Sequence, residues 1–390
     1  MLDFNFYSPT YFAFGRGRER EAGAFVRRFG GTKALVHYGG GSAVASGLIG
    51  RVKASLAEAG VACVELGGVR PNPRDTLVYE GISLCRKEKV DFVLAVGGGS
   101  VIDSAKAIAA GVPYDGDFWD FYQGKFVEEA LPIGTVLTIA AAGSEGSPDS
   151  VVTKEEGQFK RDAHGEVLRP KFSILNPALT QTLPPYQTAC GATDIIAHVL
   201  ERYFTNTPEV EITDRLCEAV LKTMIYETPR ALADKDNYDA RANIMWAGMV
   251  AHNDLCGVGR EQDWASHFME HELSAQYDCA HGAGLAVMFP AWMRYVLPHD
   301  PTRFAMLQER VWGEAPDGDP VAMGERCIER FKAFFESIGM PTSFAALGAK
   351  EEDIETMAHR CCWGDKRTGV IGGFVKLTQE DVEKIYRSLL

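Results

Sequence analysis

No uninterrupted apolar run in the 390 residues reaches the length of a membrane-spanning helix. Positive charge is also scarce: 40 lysines and arginines face 53 aspartates and glutamates, a net charge of -13. Nucleic-acid backbones and anionic membrane surfaces are therefore excluded as partners. The nine cysteines are odd in number and include no Cys-x-x-Cys pair, and adjacent Cys361-Cys362 cannot easily bridge. They read as reduced thiols, neither a disulfide framework nor a cysteine zinc site. Residues 1–20 alternate aromatic and polar positions and lack the apolar stretch of a signal peptide. Together these features predict a cytoplasmic protein.

What is present fits a soluble globular protein. Apolar residues make up 46% and charged residues 24% of a chain too long for one core, so two domains are expected. Residues 4–14 alternate around Ser8-Pro9-Thr10, which predicts a hairpin or an edge strand. Strands follow at Ala34-Leu35-Val36-His37-Tyr38, at residues 61–66, at residues 90–96 and at residues 133–139. Helical patterns lie between them, over residues 43–59, 74–88 and 101–110. Ser100 and Asp103 suggest an N-cap and capping box for the last of these. Strands alternating with helices imply right-handed crossovers and a mostly parallel α/β sheet. Beyond Pro184-Pro185 the pattern turns helical, over residues 189–204, 210–226, 240–252, 263–276, 324–339 and 377–388. The expected division is an α/β nucleotide-binding domain over residues 1–182 and an all-α domain over 183–390, where the metal-binding candidates lie.

Two strands run into glycine-rich turns, Gly39-Gly40-Gly41-Ser42 and Gly97-Gly98-Gly99-Ser100. Glycine lets backbone approach an anion closely, and free amides at a helix start favour phosphate. Neither turn has the Gly-x-Gly-x-x-Gly spacing of the dinucleotide fingerprint. Two such turns on successive βα units nevertheless point to a nucleotide. NAD-selective sites often place an acid at a strand end to bind the ribose 2′-hydroxyl, and here the strand ends in glycines and a serine. A 2′-phosphate suits that turn better, so NADP(H) is expected over NAD(H), which still fits.

Three of the nine histidines, His267, His271 and His281, fall within fifteen residues. Upstream, Asp194 and His198 stand four apart, on one face of a helix. Taken singly, each histidine is ordinary as a hydrogen-bonded core residue. Taken together, Asp194, His198, His267 and His281 make a candidate N3O site for one divalent ion. Such a shell suits Fe2+ or Zn2+ rather than Mg2+ or Ca2+.

At these residues the chain resembles the iron-dependent (group III) alcohol dehydrogenase family, in its butanol dehydrogenase branch. The match runs from Ser173-Ile174-Leu175-Asn176 through Gly191-Ala192-Thr193-Asp194 to Glu201, and from Trp264-Ala265-Ser266-His267 to His281-Gly282-Ala283-Gly284. The turn Gly97 to Lys106 is similar as well. Asn176 and Cys279 depart from the family's usual acidic and aliphatic residues, and Ser147-Pro148 is a local oddity. The resemblance implies that Asp194, His198, His267 and His281 bind the metal and that Gly97, Gly98, Gly99 and Ser100 hold the pyrophosphate. It implies that Asp103 lies close to the nicotinamide carboxamide, that Thr138 and Lys160 line the cofactor, and that His271 faces the substrate as a proton relay. It also implies a homodimer, in which the N-terminal aromatic segment could pair across subunits. The expected activity is hydride transfer between NAD(P)(H) and a small primary alcohol or aldehyde. One alternative is a metal- and NAD-dependent enzyme of the dehydroquinate synthase or glycerol dehydrogenase kind, on a more polar substrate. Another is a catalytically silent nucleotide-binding protein. Trp264, Phe268 and Met269 beside His267 favour an apolar alcohol, and the complete ligand set argues against silence.

Overall fold

Uninterrupted Val, Leu, Ile and Ala runs bury both faces of a strand, which is what a sheet covered by helices on both sides demands. Phe92, Val93, Leu94, Ala95 and Val96 are fully buried in this way. The computed structural model describes residues 1–364 and 367–390. They form two compact units, Tyr7–Leu183 and a second made of Met1–Phe6 with Pro184–Leu390.

In the first unit the strands are β1 (Tyr11–Phe14), β2 (Lys33–Gly39), β3 (Ala62–Val69), β4 (Phe92–Gly97), β5 (Ile133–Leu137), β6 (Asp149–Lys154), β7 (Phe159–His164) and β8 (Phe172–Leu175). Six of them form one parallel sheet in the order β1-β8-β5-β4-β2-β3. From β2 the chain steps outward to β3 and then returns to the opposite side of β2 with β4. That reversal opens a crevice beyond the carboxyl ends of β2 and β4, the usual ligand position in such sheets. Both glycine turns lie there. The core clusters Val36, Leu94, Val96, Val136 and Ile174 with Phe25 and Phe172.

Several local expectations are sharpened or corrected. Of the hairpin or edge strand expected over residues 4–14, it is the edge strand that forms, Tyr11–Phe14, pairing in parallel with β8 at the sheet edge. The helix expected over 43–59 is split into Ser42–Ala45 and Leu48–Glu58, because Gly47 takes a left-handed φ of 71° between them. The helix Gly99–Gly111 starts at Gly98 with no side-chain cap, so Ser100 and Asp103 form no capping box. The Asp103 carboxylate instead accepts the Ser144 hydroxyl at 2.6 Å and the Val151 amide at 3.2 Å. The antiparallel ribbon β6–β7 lies outside those expectations altogether.

The second unit is built of helices, among them Pro185–Tyr203, Glu211–Ala233, Tyr238–His252, Ala265–Tyr277, His281–Val296, Pro301–Trp312, Pro320–Ser337, Ile354–Trp363 and Gln379–Arg387. Proline at the first position and an aspartate cap (Asp300, Asp319) start two of them. A small antiparallel pair, β9 (Val370–Ile371) with β10 (Leu377–Thr378), interrupts the helices. The helix Pro185–Tyr203 is buried all round from Thr188 onward, as a helix at the centre of a bundle must be. No helix among the described residues is long and apolar enough to cross a membrane.

Candidate metal centre and cofactor turns

One turn of the central helix sets Asp194 and His198 on a shared face. His198 Nδ1 lies 2.8 Å from the Asp194 carbonyl and 3.0 Å from its carboxylate. An N–H donated there leaves the Nε2 lone pair for an ion. The ligand atoms of Asp194, His267 and His281 all lie within 4.8 Å of one another. His198 falls outside that mutual cluster, although its ring centroid is 4.5 Å from that of His267. The structure thus gathers three of the four expected ligands tightly and sets the fourth alongside. His271 belongs to a second cluster, with Glu270 and His281, and its ring lies 5.8 Å from that of His281.

His267 and His281 each have a buried carboxylate behind them. Glu201 accepts from His267 Nδ1 at 2.7 Å, and Glu270 accepts from Nδ1 of His281. Burial, then neighbouring His198, His281 and His271, holds His267 well below the usual imidazole range, so its ring is neutral. Its Nε2 is buried and has no hydrogen-bond partner. A sealed lone pair facing a carboxylate and other imidazoles costs about 1–3 kcal/mol if left unmet. A divalent ion meets it, so the donor set fits one. Behind His198, Arg202 donates to its carbonyl at 2.8 Å, lies 2.6 Å from His252 Nδ1 and stacks 4.7 Å from the Trp264 ring centroid.

Sequence reasoning gave no positioning role to Glu201, Glu270 or Arg202. The signal was present for the two glutamates, which stand three residues after His198 and His267 and so share a helical face with them. Met269, expected beside the substrate, is fully buried, with its carbonyl accepting the Tyr386 hydroxyl. Trp264 and Phe268 are the half-buried apolar neighbours of His267 and His271.

In the α/β unit the two glycine turns cap adjacent strands, since Tyr38 pairs with Val96 and Gly97 with Leu137. The Thr138 amide donates to the Gly97 carbonyl at 3.0 Å, which brings Thr138 to the same edge. A Cβ on Gly97 would meet Val101 at 2.4 Å, whereas nothing lies within 4 Å of a Cβ on Gly40 or Gly41. A side chain at Gly97 would thus clash with Val101, and Gly40 and Gly41 leave open backbone for a ligand to approach. Lys160 is buried on β7, in the separate ribbon.

Lys106 organises the turn that follows β5. Its buried ammonium donates to the carbonyls of Ser144 (2.8 Å), Ser147 (2.9 Å) and Asp149 (2.7 Å). Burial pushes Lys106 down to about 8 and Asp103 up to about 6. Glu145, in the same turn, has a buried Oε1 without a partner, and burial pushes its carboxyl from 4.5 up to about 7. Between those values an unfolded glutamate ionises while the folded one keeps its proton. The stability of the neutral form is thus complete below pH 4.5 and lost as pH climbs to about 7. Glu145→Gln should remove this loss and raise the unfolding free energy at pH 8 by about 1–3 kcal/mol. Urea unfolding at pH 5 and pH 8 checks this; equal pH dependence in the two proteins would rule it out.

The family model for iron-containing alcohol dehydrogenase matches residues 9–177, and that for the C-terminal part of the Fe-containing alcohol dehydrogenase family matches residues 188–390. The chain is similar to the probable NADH-dependent butanol dehydrogenase 2 of Bacillus subtilis (strain 168), 44% identical with each chain covered in full. It is similar to the NADPH-dependent aldehyde reductase of Escherichia coli (strain K12), 38% identical over 92% of each. Its fold resembles the crystal structure of NADH-dependent butanol dehydrogenase A from Thermotoga maritima. That match has a TM-score of 0.96 and 40% identity, and covers 100% of this chain and 99% of the other. The chain belongs to the iron-containing alcohol dehydrogenase family, in its butanol dehydrogenase branch.

Proposed function

We propose that this chain interconverts small primary alcohols and aldehydes with NADP(H), at one divalent ion held by Asp194, His198, His267 and His281. The observation that carries the metal reading is the buried, partnerless Nε2 of His267 among the other candidate ligands. When bound, the ion supplies Lewis acidity toward a carbonyl or hydroxyl oxygen, and the nicotinamide gives or takes the hydride. The residues of the chain do the rest. Glu201 and Glu270 fix the tautomers of His267 and His281. Trp264 and Phe268 offer apolar surface to a short alkyl chain. His271, whose Nδ1 is sealed from solvent, exchanges the alcohol proton at Nε2. On the cofactor side, Gly97, Gly98, Gly99 and Ser100 hold the pyrophosphate. Asp103, Thr138 and Lys160 line the remainder.

The preference for NADP(H) rests on the open turn Gly39-Gly40-Gly41-Ser42. Its free amides and serine hydroxyl suit a 2′-phosphate, and it carries no acid to repel one. The relatives divide on this point, being NADH-dependent in the butanol dehydrogenases and NADPH-dependent in the E. coli reductase. Two charge-assisted hydrogen bonds to the phosphate would favour NADPH over NADH by about tenfold or more in kcat/KM. The test is metal analysis of anaerobically purified protein, joined to reduction of C2–C6 aldehydes with each cofactor. A strong NADH preference overturns the cofactor assignment, and metal-free activity overturns the centre. The same reading takes the enzyme as a cytoplasmic homodimer, in keeping with nine cysteines held in no disulfide. A monomer in sedimentation would remove the dimer from it.

A further inference from the structure

We propose that Glu201 and Glu270 are positioning residues for the metal centre, each a carboxylate sealed from water that holds the Nδ1 proton of a histidine ligand on the next helix. The ligand set is then assembled by a relay running from helix to helix. This inference rests on the metal reading above.

The relay starts on Pro185–Tyr203, which carries Asp194 and His198 and, one turn later, Glu201. Glu201 reaches the start of Ala265–Tyr277 and accepts three hydrogen bonds there. Its Oε2 takes the Trp264 amide at 2.7 Å, and its Oε1 takes the His267 amide at 3.0 Å and His267 Nδ1 at 2.7 Å. That helix begins at Trp264, in a left-handed conformation (φ 71°), with no side-chain cap of its own. One carboxylate thus caps the second helix and aims its ligand. Residues of the second helix repeat the arrangement on the third. Glu270 accepts from Nδ1 of His281, the first residue of His281–Val296, while the Ser274 hydroxyl donates to its other oxygen. Gly284 makes room, since a Cβ there would stand 2.7 Å from Glu270 Cγ and Oε1. Both glutamates are fully buried. Each histidine held this way turns Nε2 inward, and that of His281 lies 3.7 Å from the Asp194 carboxylate. Carboxylates so placed fix the ring and raise its basicity toward a metal.

Glu270→Gln is the cleaner test, because in Glu201→Gln the new side-chain amide would face backbone N–H donors. In Glu270→Gln the shape is kept, the Ser274 hydroxyl can turn to accept from the new amide, and what is lost is the carboxylate's charge. Competition titration of the full-length apoprotein with Zn2+ should give a dissociation constant about 10- to 100-fold weaker than wild type. The visible spectrum of the Co2+-loaded variant should shift with it, which a merely structural role would not cause. Ser274→Ala, which removes one hydrogen bond to Glu270, should weaken Zn2+ by a smaller factor, on the order of threefold. Wild-type Zn2+ affinity and an unchanged Co2+ spectrum in Glu270→Gln overturn the relay. If that variant fails to fold by circular dichroism, wild-type affinity in Ser274→Ala overturns it instead. A wild-type protein that binds no Zn2+ overturns the metal centre itself, a separate and distinguishable failure.

Discussion

Replacing His267 with alanine is expected to weaken metal binding about a hundredfold and to abolish turnover while leaving the chain folded. The imidazole is one of four candidate ligands, and a four-ligand zinc site in a small domain is worth on the order of 10–16 kcal/mol in all. One quarter of that is roughly 3 kcal/mol, or a metal affinity about a hundredfold weaker. The fold should survive because Glu201 keeps the two backbone amides, at Trp264 and at residue 267, that cap the helix. Truncating a buried ring still costs stability, about 2–4 kcal/mol. Metal analysis, a thermal melt and aldehyde-dependent NADPH oxidation on the same preparation decide the matter. Stoichiometric metal with undiminished turnover in the variant would falsify the proposed centre.

The second large effect is expected at Gly282, and its origin is steric. A Cβ there would stand 2.0 Å from the Cys190 carbonyl oxygen and 2.6 Å from its carbon. Both atoms are backbone, so no side chain can rotate out of the way. In Gly282→Ala the helices Pro185–Tyr203 and His281–Val296 must move apart, at a cost of about 3 kcal/mol or more. Because Asp194 rides on one helix and His281 on the other, the same shift should weaken the metal site. A useful contrast is Gly50, within the helix Leu48–Glu58, where nothing lies within 4 Å of a Cβ. Gly50→Ala should stabilise by up to about 1 kcal/mol. Thermal melts with and without Zn2+ test both, and a Gly282→Ala protein as stable as wild type would show that the close approach is not real.

The parts of the fold that were legible are those whose signal is local. The apolar run that became β4 was plain, because a strand covered on both faces has no polar positions to interrupt it. The ribbon β6–β7 was not, because its strands mix charged and apolar residues and its turn is carried by Gly157 and Gln158 at positive φ. The helix His281–Val296 was hidden by Gly282, Gly284 and Pro290, which argue against a helix locally and are outweighed by burial on every side. At the site, Asp194 and His198 could be paired from spacing alone. That His267 and His281 meet Asp194 depends on how three helices pack, which no local pattern reports. Lys106 could have been noticed as the one cation in a helix of small buried residues. Its target, three carbonyls some forty positions away, could not.

The grouping of Met1–Phe6 with the helical unit has a consequence for how the chain matures. The Met1 amino group donates to the Pro208 carbonyl, and the Leu2 amide to that of Gly259. During synthesis this segment leaves the ribosome more than two hundred residues ahead of either partner, while the intervening α/β unit is made whole. Until then the two hydrogen bonds cannot form, and because Leu2, Phe4 and Phe6 stay about half exposed even in the folded chain, those bonds rather than burial are what tie the segment down.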